Sequence, residues 1–302
     1  MTAPRYIDRK THQERTEKVY GKFFIDLLYG TSWFSKVLSL LVLPLFSHIN
    51  FLSRLYGDIQ KSRLSKKKIQ PFIEKFHVDA SEFLEPVDNF QSFNDFFIRK
   101  LKPEARPITP GADIAILPAD GRYLVYPNIQ KSDGFFVKGR KFSLETLLKD
   151  TDLAHKYAQG SMAIVRLAPV DYHRFHFPMN CIPDAPKPIQ GPLFSVNPKA
   201  LQKHAHILAE NKRVINHLKT ENFGPVLFIE VGATYVGTIH QTFIPHQPRI
   251  KGDEKGYFSF GGSSLILLFE PFRIQFDQDL IEASHRRIEV LGQMGQSLGH
   301  AF

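Results

Sequence analysis

The sequence is short of several things, and each shortage excludes something. It has one cysteine, Cys181. No disulfide can close within the chain, so a reducing compartment suits it, and Cys181 reads as a packing residue. One tryptophan stands against 27 phenylalanines. An aromatic set dominated by Phe suits a β-rich core, with some rings left for a lipid-facing or ligand-facing surface. There is no internal repeat and no low-complexity tract. The start, MTAPRYIDRKTHQERTEK, is polar and mixed in charge, unlike the basic start and apolar run of a secretory signal. No apolar run is long enough to favour a membrane span. Val37–Ser53 lacks Asp, Glu, Lys and Arg, but its strongly apolar part, Val37–Phe46, is interrupted by Pro44. A spanning helix needs ~20 mostly apolar residues. Two readings remain for this stretch: a buried helix, or an interfacial helix with Trp33, Phe34 and Phe51 at headgroup level.

What is present points to a folded, basic protein. Of 302 residues, 43% are hydrophobic and 23% charged, which is ordinary for a globular chain. The net charge is +9. A basic balance attracts polyanions, either nucleic acid or an anionic lipid surface. The cluster Lys61, Arg63, Lys66, Lys67 and Lys68 follows the apolar stretch, and that adjacency favours lipid. No nucleic-acid motif accompanies the charge. Residues 1–90 are expected to be mostly helical and membrane-associating. Residues 91–302 are expected to form a β-rich domain, so the fold class is α+β. Ser143 is a natural N-cap for a short helix in Phe142–Asp150. MAIVRLAP, PVLFIEVGATYVGTI and SSLILLFE read as strands, and Lys199–Glu210 has helical character.

Three places carry candidate chemistry. PADG sets Asp120 before Gly121. VDYHRFHFP gathers Asp171, His173 and His176. FSFGGSSLILLF sets Gly261, Gly262, Ser263 and Ser264 between apolar runs. Alone, each has a bland reading: a turn, two satisfied structural histidines, and a tight hairpin turn. No third anchor completes a metal site. Together, Asp120, His176 and Ser263 supply an acid, a base and a hydroxyl. G-G-S-S-L running into an apolar strand differs from the G-x-S-x-G elbow of serine hydrolases.

FNDFFIRKLKPEARPI, PADG, DYHRFHFP, GPLFSVNP, FGPVLFIEVGATYVGTI and GGSS, in this order, resemble the phosphatidylserine decarboxylase family over about Phe93 to Gly299. The resemblance implies a precursor that cuts itself between Gly262 and Ser263 into a long chain, 1–262, and a short chain, 263–302, which stay associated. It implies a relay in which Asp120 orients His176, and His176 takes the proton of Ser263 as its hydroxyl attacks the Gly262 carbonyl. Gly262 leaves that approach unhindered. The new terminus becomes a covalent pyruvoyl group. That group forms a Schiff base with phosphatidylserine, carbon dioxide leaves, and phosphatidylethanolamine is released. His173 is the candidate proton donor. No metal or further cofactor is implied. Phosphatidylserine and the anionic membrane surface are the partners, and the protein is expected to lie peripherally on the cytoplasmic side of the cell membrane. The family commonly shows Gly-Ser-Thr at the cut, whereas this chain has Ser264 in the third place. Arg174 is a guess for the headgroup phosphate. The rival readings are a processing-dead lipid-binding homologue, a Ser-His-Asp lipid hydrolase and, last, a nucleic-acid-binding protein.

Overall fold

The computed structural model describes residues 4–17, 57–130, 136–137, 140–141, 143–194, 207–233, 239–260 and 263–302. The apolar stretch Val37–Ser53, Trp33, Phe34, Gly261 and Gly262 lie outside them, as does most of the Lys199–Glu210 segment. Its last turn, Ile207–Glu210, is helical.

SSLILLFE becomes the strand Ser263–Phe269, buried throughout. An unbroken apolar run has no wet face, so it belongs inside a sheet covered on both sides. It pairs antiparallel with Pro225–Gly232 on one side and Ser161–Leu167 on the other. These are central strands of a ten-stranded sheet. Beyond Pro225–Gly232 come Arg213–Lys219 and the short strands Lys187–Ile189 and Ile182–Pro183. Beyond Ser161–Leu167 come Gly121–Tyr126, Glu289–Gly292, Arg5–Asp8 and Gln13–Thr16.

Alternation along Ser263–Phe269 divides the interior. Leu265, Leu267 and Phe269 join one core with Phe175, Phe177, Phe228 and Phe258. Ile266 and Leu268 join a second core with Leu147, Leu148, Ala154 and Tyr157 from the helices Leu144–Leu148 and Thr151–Tyr157. The first of these helices starts where the sequence indicates: Ser143 Oγ accepts the N–H of Thr146 at 3.2 Å. Over the opposite face lies a small sheet of Ile239–Gln241, Glu254–Phe258 and Arg174–His176. It is pinned by a buried cation. Lys255 Nζ donates to Glu230, to Asn216 Oδ1 at 2.6 Å and to Gln241 Oε1 at 2.9 Å.

A third core is almost pure phenylalanine. Phe72, Phe83, Phe90, Phe93, Phe96, Phe97 and Phe260 pack together with Ile69. It joins the helices Ile69–Phe76 and Phe93–Phe97 to the residue just before the two glycines, so this packing runs across position 90. The charged amino terminus departs from the helical expectation. Arg5–Asp8 and Gln13–Thr16 are strands, and Arg5–Asp8 pairs in parallel with Glu289–Gly292. Charge pairing fixes them there. Arg9 binds Asp277 and Asp279, and Glu17 binds the buried Arg166. Among the described residues no helix is long and apolar enough to cross a membrane.

Candidate active site

Ser263 opens its strand opposite Leu167 and Gly232, with no exposed surface. By alternation it shares the face of Leu265 and Leu267, while Ser264 points to the other face. Ser264 Oγ is buried and has no hydrogen-bond partner. The two serines are therefore distinct, and Ser263 is the one whose hydroxyl meets His173.

Strand Ser161–Leu167 ends beside Ser263, and the chain turns through Ala168–Asp171 and returns across it. His173 Nε2 lies 2.9 Å from the Ala168 carbonyl oxygen. That oxygen can only accept, so Nε2 carries the proton and Nδ1 is bare. Nδ1 faces Ser263 Oγ at 3.4 Å. The Phe97 ring stacks on the imidazole with centroids 3.8 Å apart. Burial pushes His173 down to about 3; the Ala168 bond opposes it, and the weaker fields of Arg99 and Arg122 add to the lowering. It is neutral at any physiological pH.

His176 ends the strand Arg174–His176 in the opposite tautomer. Its Nδ1 donates to the Gly252 carbonyl at 2.9 Å, and its Nε2 accepts from Tyr172 Oη at 3.3 Å. Burial lowers its proton affinity, but Glu254 and Asp120 pull the other way. Asp120 influences it through space. Its carboxylate accepts elsewhere: from Arg106, through Nε at 2.9 and 3.1 Å and Nη2 at 2.6 Å, and from the Met294 N–H at 2.8 Å. The PADG motif places Asp120 tightly, because a Cβ on Gly121 would lie 2.9 Å from the Arg166 carbonyl oxygen.

The structure thus sets His173 against Ser263, with His176 buried three residues along the same segment and Asp120 within electrostatic reach of His176. The direct contact to Ser263 is from His173. Arg174 is engaged: Nη1 lies 2.9 Å from both Glu254 carboxylate oxygens, Nε donates to Ile98 O, and the guanidinium covers the Tyr257 ring. Cys181 is buried and its thiol is pushed up to about 12 by burial, so it is an inert packing group. Among the described residues no cluster of ligating side chains could hold a metal. Sequence reasoning missed Phe97, Arg99 and Arg106. All three stand in FNDFFIRKLKPEARPI, but nothing local shows which distant groups they meet.

The site is also unlike a hydrolase elbow. Its serine starts a buried strand and lies between two other strands, with no helix following it.

Comparison with known proteins gives a consistent result. The profile of the family described as phosphatidylserine decarboxylase matches residues 93–300. The chain is 48% identical over 301 residues to the phosphatidylserine decarboxylase proenzyme of Chlamydia pneumoniae, covering 100% of this chain and 98% of that protein. It is 50% identical over 302 residues to the proenzyme of Chlamydia caviae, covering 100% and 99%. Against that of Chlamydia muridarum it is 48% identical over 297 residues, covering 98% and 97%.

Proposed function

The chain belongs to the phosphatidylserine decarboxylase family, and we propose from that premise and from the site that it cuts itself at Gly262–Ser263 and decarboxylates phosphatidylserine to phosphatidylethanolamine. The observation that carries the reading is a fully buried serine at the head of a central strand with a bare imidazole nitrogen 3.4 Å from its hydroxyl.

Cutting needs a base that can hold a proton. The two histidines differ in this. An imidazolium at 173 would face two arginines and no carboxylate, whereas one at 176 would face Glu254 and Asp120 against the weaker field of Arg174. That difference supports His176 as the cutting base, acting through Nε2 once Tyr172 releases it. Asp120 steadies the cation. Arg106 in turn holds Asp120 in place, which is why the carboxylate can act without touching the ring. Ser263 Oγ attacks the Gly262 carbonyl carbon, and the peptide becomes an ester. Loss of the Ser263 Cα proton expels the Gly262 carboxylate and leaves a dehydroalanine amine. Water then replaces its nitrogen, releasing ammonia and leaving a pyruvoyl ketone.

The surroundings suit that group. Ser263 is fully buried, its hydroxyl meets the His173 ring and no charged side chain, and that ring is stacked by Phe97, which in turn meets Phe260. The ketone supplies an electron sink, once joined to the lipid amine, for the electrons left when carbon dioxide departs. His173, whose Nδ1 lies beside residue 263, is the candidate to pass a proton to the carbon that loses the carboxylate, holding it only while the substrate carboxylate or carbanion is beside the ring. The surrounding phenylalanines keep water from the carboxylate as it becomes neutral carbon dioxide.

Docking on anionic lipid falls to the segment before the phenylalanine core. Arg63–Lys68 is a short 3-10 helix whose Arg63, Lys66, Lys67 and Lys68 are exposed, with Leu64 79% exposed among them. Each such cation near an anionic surface contributes about 1 kcal/mol at low salt. Replacing Lys66, Lys67 and Lys68 with Gln should weaken binding to phosphatidylserine vesicles; unchanged binding would remove this segment from the interface.

The decisive test is intact mass. Purified protein should give two chains, the shorter beginning at 263 and lighter by one ammonia than a chain that starts with an ordinary serine. Ser263→Ala should give one uncut chain with no decarboxylase activity. A normally cut Ser263→Ala protein would overturn the assignment.

A further inference from the structure

Asp171 and Arg99 have no part in the chemistry above, yet both are buried at its edge. Arg99 is an unusual arginine. Its Nη2 donates to the carbonyls of Val170 and Asp171 at 3.2 and 3.3 Å, and its Nη1 lies 3.4 Å from the Phe96 carbonyl. Its guanidinium covers the rings of Phe83 and Phe96 at 5.1 and 4.8 Å. Its Nε is buried without a partner. The acids whose fields reach it, Asp120 and Asp171, are clasped by Arg106 and Arg122 instead. A buried cation without a carboxylate of its own is expensive, so its place calls for a reason.

The reason lies in the turn it grips. Asp171 accepts from Arg122 and, at 2.6 Å, from the N–H of Ala168. Its own N–H donates to the Ala168 carbonyl at 2.9 Å. The same Ala168 oxygen receives the Nε2 proton of His173. The turn is thus closed by Asp171, anchored from behind by Arg99, and offers one carbonyl to the imidazole.

We propose that Arg99 and Asp171 are positioning residues: by locking the Ala168–Asp171 turn they aim its carbonyl at His173 Nε2, and so keep the Nδ1 lone pair directed at residue 263. The proposal rests on residue 263 being the reacting group. The charges of Arg99 and Arg122 add a second restraint, since both oppose a proton on His173, while the remaining face of the ring is covered by uncharged Phe97. Arg99 itself drops to about 10 through burial and stays charged at neutral pH.

The test separates this idea from the functional assignment. Full-length Ser263→Ala protein, labelled with ring-15N histidine, reports the tautomer without any cutting; His173→Asn identifies the resonance. Nε2 should carry the proton, Nδ1 should be bare, and neither should titrate between about pH 5 and 8. A proton on Nδ1 in that protein overturns the proposal whatever the variants do. Adding Asp171→Asn or Arg99→Met should populate the other tautomer. In the cutting-competent chain, Arg99→Lys keeps the charge and loses the fork, and should lower kcat roughly 10- to 100-fold with KM unchanged. If these variants change activity while the tautomer stays fixed, Arg99 is only packing and the proposal falls. Cutting of Ser263→Ala would instead sink the assignment of the serine and leave the tautomer result standing.

Discussion

His173 precedes and His176 ends one short strand, and both are buried and depressed by burial, yet they differ in tautomer and in the carboxylates that reach them. His173 keeps its proton on Nε2, under a backbone carbonyl, beside two arginines and beneath a phenylalanine ring. His176 keeps its proton on Nδ1 and turns Nε2 toward a tyrosine hydroxyl, with Asp120 and Glu254 in its field. The difference shows how a fold divides labour between like groups. Proximity alone would give both reactions to His173. On the proposed reading, the capacity to hold a proton favours His176 for the cutting step and leaves His173 to move a proton only in company with a negative partner.

The sharpest way to break this contrast is to remove each ring. His176→Ala should leave the chain whole, with cutting slowed by about 10²- to 10⁴-fold, as gel time courses would show. His173→Ala should cut into two chains yet lose decarboxylation by a comparable factor, measured as phosphatidylethanolamine formed. The reverse pattern, an uncut His173→Ala and a normally cut His176→Ala, would exchange the roles and make contact outweigh charge.

A second test reaches the His176 pocket through its support. Glu254 begins the strand that Lys255 pins to Glu230 on the main sheet. Lys255→Met leaves Glu230 buried without its cation, which should cost about 3–5 kcal/mol in denaturant unfolding. The double variant Lys255→Met with Glu230→Leu should recover much of that loss. An unchanged melting curve for the single variant would show that the small sheet does not depend on this pin.

The pH dependence is milder and concerns both rings. Each has a folded proton affinity below that of an exposed histidine. Below about pH 6.5 the unfolded chain takes up protons that the folded chain refuses. Stability from these groups is therefore complete above that value and declines as pH falls. The decline is about 1.4 kcal/mol per pH unit for each ring, until its own folded value is reached, which for His173 is about 3. Unfolding of uncut Ser263→Ala protein between pH 7 and 5 should show this slope. His173→Gln should flatten it by one proton, and an unaltered slope would mean that His173 is not held neutral by the fold.

Much of this was legible in sequence, for local reasons. SSLILLFE could only be a strand covered on both faces, and Ser143 marked its helix. The motif order led to the family. The helical expectation failed for RYID and QERT, because neither segment carries an apolar pattern. Their strand character comes from Glu289–Gly292 and from ion pairs with residues at the far end of the chain. The site was legible in its residues and illegible in its contacts. Asp120 had no visible reason to bind Arg106, and the three-residue spacing of the histidines gave no hint that a carbonyl at Ala168 would fix one ring and Gly252 the other. The remaining segments, including Val37–Ser53, Gly261 and Gly262, lie outside the described residues.

The smallest expected effect comes from Ser264, and it tests whether the face of the strand matters more than the presence of a hydroxyl. Ser264 has the same side chain as Ser263 and stands next to it, but it points into the second core, away from both histidines, and its hydroxyl is buried without a partner. Ser264→Ala should cut at an ordinary rate and at the same bond. It should also be neutral or stabilised by up to about 1 kcal/mol, because an unsatisfied buried hydroxyl is removed. A short chain that begins elsewhere, or a failure to cut, would mean that Ser264 turns toward the histidines, and the contrast between their pockets would then have to be drawn around a different serine.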